Sequence, residues 1–536
     1  MIIHFIFSLG MIAECTKSPS NKIEDYMSEA RIVAANMTDI DLVGQLLMPH
    51  FSMVDGTTNY IELFQKYRVG GLLLDGSVTN SVGNPARYVR TLTDKIKQAA
   101  RQLQKETGLN ADPLLGIDQE FGVVTRVRAG IAILPSAMAL GAIHEPMLVE
   151  RGWLYAGEDL AGLGFNMDFG TDADVLSNEK NPVIVSRSFG DSVKAVADNV
   201  MASVRGLQKF GVAAVLKHFP GHGNTSSDSH SSLPVLSQSL EELKNTDLPP
   251  FQAGIRAGAW GVMNGHLDVR AIDPGMPATF SSKISGDLLH SGMSFQGVAV
   301  TDAMGMAPAQ KWDFGEAAVR AVLAGNDILL KTPDVAKAQA GLLEALRSGR
   351  LPRKVLEDRA TKVISLRLLL SSFPQPGLEK VNTNEKQQFV RSLQRMAVTV
   401  LKGLCDKAMI TSPVFVSGGL GNYADQTSRM KANLAALGYI VTEKREEALS
   451  HIHLVGYSQG EDALDDRATV TVAMDTPFIL GKAKSPYRVA TYNSWPDAID
   501  AATDVITGRR NAKGISPVKV EGLPRSACVK KTHLLF

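Results

Sequence analysis

Three cysteines in 536 residues, Cys15, Cys405 and Cys528, are too few and too widely spaced to indicate a disulfide framework or a zinc site. Charge of one sign is also missing. With 56 Lys and Arg against 55 Asp and Glu, no overall field draws the chain to nucleic acid or to an anionic surface. Beyond the N-terminus there is no apolar run of the roughly 20 residues that a membrane helix needs. Gly418-Gly419-Leu420-Gly421 lacks the GxGxxG spacing and any Lys-Ser/Thr ending, and reads as turn chemistry rather than a phosphate loop. These absences leave a neutral or small polar substrate as the best fit.

What is present is an apolar fraction of 44%, enough for two folded units in a chain of this length. Eight short apolar runs recur: Gln45 to Pro49, Gly71 to Asp75, Leu114 to Gln119, Gly164 to Asp168, Val212 to His218, Gly261 to His266, Gly297 to Asp302 and Asn326 to Leu330. Helix-like stretches such as Ala86 to Gln104 and Val193 to Lys209 alternate with them. That order calls for parallel strands, and eight of them match a TIM-like (β/α)8 barrel over 22–370, with a doubly wound sheet as the rival. A Pro-, Ser- and Asn-rich linker over 371–385 leads to a smaller α/β sandwich domain over 386–536 that opens with a helix from Lys386 to Leu404. At the other end, Met1 to Ala13 has the length of a signal-peptide core, and Cys15 follows as in a lipoprotein signal. Export, with possible membrane attachment through a lipidated Cys15, is the expectation; no Lys or Arg precedes the apolar run, so a cytoplasmic protein is the alternative.

A barrel carries its chemistry where strands end. Asp118, Asp168, Lys217 with His218, His266 and Asp302 stand at the ends of the third to seventh candidates. The densest stretch is Lys217-His218-Phe219-Pro220-Gly221-His222-Gly223 with Asp228-Ser229-His230, three of the chain's eleven histidines in fourteen residues. Asp228 can fix the tautomer of His230 and leave its other nitrogen to give or take a proton. Asp302, delivered by a buried strand, suits a nucleophile. A zinc reading of His218, His222 and His230 finds no HExxH spacing and puts a lysine beside the metal. Asp118 can accept from adjacent hydroxyls, and Arg126, Arg187, Lys217 and His218 can donate to a sugar.

Ile117-Asp118-Gln119-Glu120, Leu134-Pro135-Ser136, Ser186-Arg187-Ser188-Phe189-Gly190, the Lys217 to Gly223 run with Asp228-Ser229-His230, and Thr301-Asp302-Ala303 with Met306 resemble successive motifs of glycoside hydrolase family 3, specifically its β-N-acetylglucosaminidases. The resemblance implies Asp302 as the nucleophile of a retaining mechanism, His230 as acid/base oriented by Asp228, and Asp118, Arg126, Arg187, Lys217 and His218 as binders of a non-reducing N-acetylglucosamine (GlcNAc), with no metal or organic cofactor. It implies a small carbohydrate or muropeptide as partner, hydrolysed by a monomer. A phosphorylase on the same site is the near alternative, a β-glucosidase or a non-catalytic sugar-binding protein the more distant ones. Two departures stand out: Phe121-Gly122 where the family usually has Gly-Gly, and Asn224 where an Asp commonly follows the histidine loop's second glycine.

Overall fold

The computed structural model describes residues 21–52, 59–76, 84–419, 424–456 and 459–529; the Met1 to Ala13 run and Cys15 lie outside them. Eight short parallel strands come first. They are β1, in two pieces Leu47–Met48 and His50–Phe51, β2 Gly71–Leu74, β3 Leu114–Ile117, β4 Met167–Asp172, β5 Ala213–Phe219, β6 Gly261–Asn264, β7 Val298–Thr301 and β8 Leu329–Leu330. Neighbours pair in chain order from the second piece of β1 to β7. A bridge from Val300 to Ile328 and the pairing of Leu47 and Met48 with Leu329 and Leu330 close the ring, so the TIM-like barrel expected from the alternation is present.

The strands are buried along their length except at His50, because helices cover the outside while side chains fill the inside. Period-two alternation nevertheless sorts the residues. Met48, Leu73, Leu114, Phe169, Val215, Met263, Val300 and Leu330 form the inner core, whereas Leu47, Leu72, Leu115, Leu216 and Ala299 pack against the outer helices. Gly116 lies on the inner side, where a Cβ would come within 2.5 Å of Met48 and 2.8 Å of Phe169, so only glycine leaves room for both.

The fourth strand differs from the sequence expectation. It runs to Asp172 because Gly164, at φ 93°, ends the helix Pro146–Gly162, and Phe165 N donates back to Leu160 O. The apolar residues after that helix therefore close it rather than start the strand.

The helix Asn384–Ala397 leads into the second domain. It stops earlier than expected, since Thr399–Lys402 forms a strand, β9, antiparallel to Tyr487–Ala490, β13; β-branched Val398, Thr399 and Val400 favour an extended chain. Val414–Gly418, Ser450–Val455 and Val470–Ala473 are β10, β11 and β12, and the five-stranded order is β9-β13-β12-β11-β10. Ile440 to Thr442 supplies only a bridge from Val441 to Val414. The 371–385 segment is tied down: buried Lys386 lies 2.6 Å from Asp159 Oδ1 and 2.8 Å from Glu158 Oε2, and Asn382 N donates to Asp159.

Cys405 and Cys528 form a disulfide with Cα atoms 5.3 Å apart across 123 residues of sequence. The number and spacing of the cysteines did not indicate this pairing. Their separation along the chain hides a contact made when the C-terminal tail returns to β9, where Ala527 N donates to Val400 O at 2.7 Å.

Candidate active site

The alternation that fills the barrel also builds its mouth. With Gly116, Val215 and Val300 pointing inward, the same parity carries Asp118, Lys217 and Asp302 over the open end of the barrel. A cavity of about 360 Å³ lies there, and its walls include Asp118, Arg126, Arg187, Lys217, His218, His230 and Asp302, which is seven of the eight expected site residues. Asp228, the eighth, stands beside His230. A larger groove of about 710 Å³ lies outside the barrel, beside helix Leu248–Arg256, away from the strand ends.

Glu120 organises the cavity, although the sequence reading quoted it only as part of a motif. Buried on the short hairpin strand Gln119–Phe121, it accepts from Arg187 Nε at 2.7 Å and Nη2 at 2.9 Å, and lies 2.5 Å from Lys217 Nζ. Burial would raise its pKa, but the two cations outweigh burial and hold it down at about 2. Lys217 Nζ also reaches Asp118 Oδ1 at 3.2 Å. These hydrogen bonds pin the arginine and lysine heads where a sugar can meet them.

His218 has a fixed tautomer. Arg187 Nη2 can only donate, so His218 Nε2 accepts at 3.2 Å and Nδ1 carries the hydrogen, given to Asp174 Oδ2 at 2.8 Å. Burial first, and then neighbouring Arg187, push the imidazole well below its usual range, which keeps it neutral. His218 thus steadies Arg187, and both its nitrogens are engaged rather than offered to a ligand. The Lys217–His218 and Phe219–Pro220 peptide bonds are cis.

Asp168 and Asp174 also correct the strand-end reading. Asp168 lies inside β4, not at its end, and accepts from Gln119 N at 2.9 Å, bracing the Asp118 loop from behind. Asp174, missed in the sequence, accepts from His218 and from His222 N at 2.6 Å. Asp172 and Asp174 sit two apart at the end of β4, a spacing that could have flagged them had the strand been bounded correctly.

His222 is buried and fully engaged, with Ser229 Oγ 3.0 Å from Nε2 and Thr225 Oγ1 2.7 Å from Nδ1. It folds the loop that carries His230. The three histidines of the zinc reading therefore face different partners. Among the described residues, the ligand atoms that do lie within 4.8 Å of one another are those of Asp172, Asp174 and His218. Asp174 is already engaged by N–H donors, and burial, with Asp174 beside it, raises the Asp172 carboxyl well above its usual range.

His230 presents the opposite case. Its side chain is 67% exposed, its Nδ1 lies 2.7 Å from Asp228 Oδ1, and its Nε2 makes no hydrogen bond among the described residues. The Asp228 carboxylate engages Nδ1 and orients the ring, so Nε2 is left to exchange a proton at the cavity. Asp302 is held from one side by Ala303 N–H, 2.7 Å from Oδ1. Burial would raise its pKa, but His266, His218, this N–H and Lys217 together bring it below the ordinary value, so Asp302 is ionised at neutral pH. An ionised carboxylate and a free imidazole nitrogen on one cavity can carry out nucleophilic displacement with proton transfer.

Residues 40–366 match the model of the glycosyl hydrolase family 3 N terminal domain, well over half of the chain. The chain belongs to glycosyl hydrolase family 3. It is similar to the beta-hexosaminidase A of Pseudoalteromonas piscicida, 32% identical over 58% of this chain and 55% of that one. The beta-hexosaminidase of Stenotrophomonas maltophilia strain K279a is 39% identical over 40% of this chain and 66% of that one. The chain thus spans between half and two thirds of the length of these relatives. Both domains resemble the solved family 3 beta-N-acetylglucosaminidase of Paenibacillus sp. str. FPU-7, with a TM-score of 0.81 and 28% identity over 90% of this chain and 99% of that one.

The two departures from the family 3 pattern have distinct physical consequences. Asn224 Nδ2 donates to Ser177 Oγ at 3.0 Å, an uncharged tie between the histidine loop and the loop after β4. Phe121 takes φ 64°, a left-handed conformation in which a side chain costs about 1–2 kcal/mol, yet it is buried edge-on to Trp153 at 5.6 Å. Phe121→Gly relieves that strain and loses aromatic burial worth about 3–5 kcal/mol. It is expected to lower stability by roughly 2–3 kcal/mol in urea unfolding, and a stabilised variant would show that strain outweighs packing here.

Proposed function

We propose that the chain is a retaining exo-β-N-acetylglucosaminidase that releases terminal β-linked GlcNAc from peptidoglycan fragments, GlcNAc joined to N-acetylmuramic acid or its 1,6-anhydro form. The observation that carries this reading is the joint lining of one cavity by ionised Asp302 and by His230 with its Asp228 partner, next to the fixed heads of Arg187 and Lys217. Asp118, Arg126, Arg187 and Lys217 would hold the sugar. Asp302 would attack C1, making the glycosyl ester as the glycosidic C–O bond breaks, while the Nε2 proton of His230 passes to the departing oxygen. Water would then lose a proton to His230 and add to C1, freeing Asp302. Two displacements at C1 retain the β configuration, with imidazole in the place of the usual second carboxyl group.

Export fits the same reading. Cys405–Cys528 suits an oxidising compartment, where cell-wall fragments are also met.

Product analysis tests the assignment. Defined GlcNAc–N-acetylmuramic acid fragments are expected to yield free GlcNAc, with the β anomer first by proton NMR. An initial α anomer would remove the retaining mechanism. GlcNAc-1-phosphate formed in phosphate buffer would make the chain a phosphorylase.

A further inference from the structure

The second domain reaches the cavity through a buried carboxylate. Asp475, just beyond β12, is 6% exposed and accepts a hydrogen bond from the hydroxyl of Ser186, itself 1% exposed. Ser186 is the middle residue of the one-turn helix Val185–Arg187, and Val185 enters that turn at φ 41°, a left-handed conformation costly for a β-branched residue. Such a turn persists only where its surroundings over-determine it. Arg187, the next residue, is the double donor to Glu120 and the donor to His218.

Two further ties from the second domain fix the same neighbourhood. Arg525 Nη2 lies 2.8 and 2.9 Å from the Asp191 carboxylate oxygens, and Asp191 N donates to Pro517 O at 3.1 Å, so the far side of the Ser186 to Gly190 segment is strapped to the C-terminal tail. Ser136 Oγ donates to Tyr492 O at 2.7 Å, and a Cβ on Gly122 would come within 2.6 Å of Ser136, so the loop carrying Glu120 leans on the same domain. Both ends of the Arg187–Glu120 pair are backed by the second domain.

We propose that Asp475 is a positioning residue for Arg187, acting through Ser186, so that the second domain sets the geometry of the sugar-binding guanidinium. A buried acceptor is the economical choice for this task. Its hydrogen bond fixes one rotamer of Ser186, and the polar group is tolerated in the interior because the hydroxyl satisfies it.

The full-length protein tests this with Asp475→Ala, Asp475→Asn, Ser186→Ala, Arg187→Ala and the Asp475→Ala/Arg187→Ala pair. On a chromogenic β-GlcNAc glycoside, Asp475→Ala is expected to lower kcat/KM by about 10- to 100-fold, the scale set by a misplaced binding group. Asp475→Asn, which can still accept from Ser186, is expected to recover to within about threefold. The paired variant is expected to be no worse than Arg187→Ala alone, since two residues acting on one interaction are not additive. Hydrogen exchange read by mass spectrometry is expected to speed up over residues 183–191 in Asp475→Ala. If that variant does not fold, Ser186→Ala, which deletes one hydroxyl, carries the same expectations. A loss that multiplies onto that of Arg187→Ala, activity within twofold of wild type, or unchanged protection of 183–191 would each overturn the inference. The kinetic arm rests on the proposed glycosidase reading, whereas hydrogen exchange does not. A wild-type protein without turnover would therefore count against the glycosidase reading, and the exchange result would still decide the role of Asp475.

Discussion

Asp302→Asn is expected to slow GlcNAc release by about four orders of magnitude, roughly 5.5 kcal/mol of transition-state stabilisation, while leaving the fold intact. The amide keeps the shape of the carboxylate and can still accept from Ala303 N–H, so β7 and its neighbours lose no packing. It cannot form the glycosyl ester. Its neutrality also removes the negative charge that faces the developing oxocarbenium ion, so both covalent and electrostatic assistance disappear together. Azide at high concentration should partly restore turnover, because a small anion can occupy the space beside C1 from which Asp302 attacks. The aglycone would still leave with the proton of His230, and the product would be the α-glycosyl azide, inverted at C1 by a single displacement. A variant that keeps more than a tenth of wild-type kcat in the absence of azide would remove Asp302 from the nucleophile's role.

The barrel was legible because parallel strands must be apolar along their whole length and must alternate with helices, and both patterns survive in a single sequence. Polar residues at strand ends announced the mouth: Asp118, Lys217, His218 and Asp302 all line the cavity. Residues whose importance lies in a partner were not legible. Glu120 is one of many acids until Arg187, 67 residues away in sequence, is folded against it. Asp174 was hidden behind a strand bounded too early, because the run from Gly164 reads as a strand when Gly164 and Phe165 in fact close a helix. Cys405 and Cys528 failed for the same reason, since a pairing across 123 residues leaves no local trace. Local periodicity shows which face a residue occupies, and only the closed fold shows what it meets there.

Glu120→Gln is expected to cost about 3–5 kcal/mol of stability at neutral pH, the usual price of stripping one partner from a buried ion pair. Arg187 and Lys217 would both remain buried, and a neutral amide answers neither charge. Arg187 would keep only the more distant Asp172 and Asp174, and Lys217 would keep Asp118 at 3.2 Å. The pH dependence provides a sharper test than the size of the loss. Because Glu120 is held at about 2 against an ordinary 4.5, it binds its proton less readily folded than unfolded. That contribution, roughly 3 kcal/mol, is fully present above pH 4.5 and lost as pH falls from 4.5 towards 2. The difference between wild type and Glu120→Gln in chemical denaturation should therefore be constant from pH 7 to about 5 and shrink steadily below 4.5. A gap that stays constant down to pH 3 would mean that the variant loses packing rather than charge. Activity should fall with stability, by about 100-fold in kcat/KM, because the guanidinium and ammonium heads that the carboxylate holds apart would no longer share one fixed geometry over the sugar.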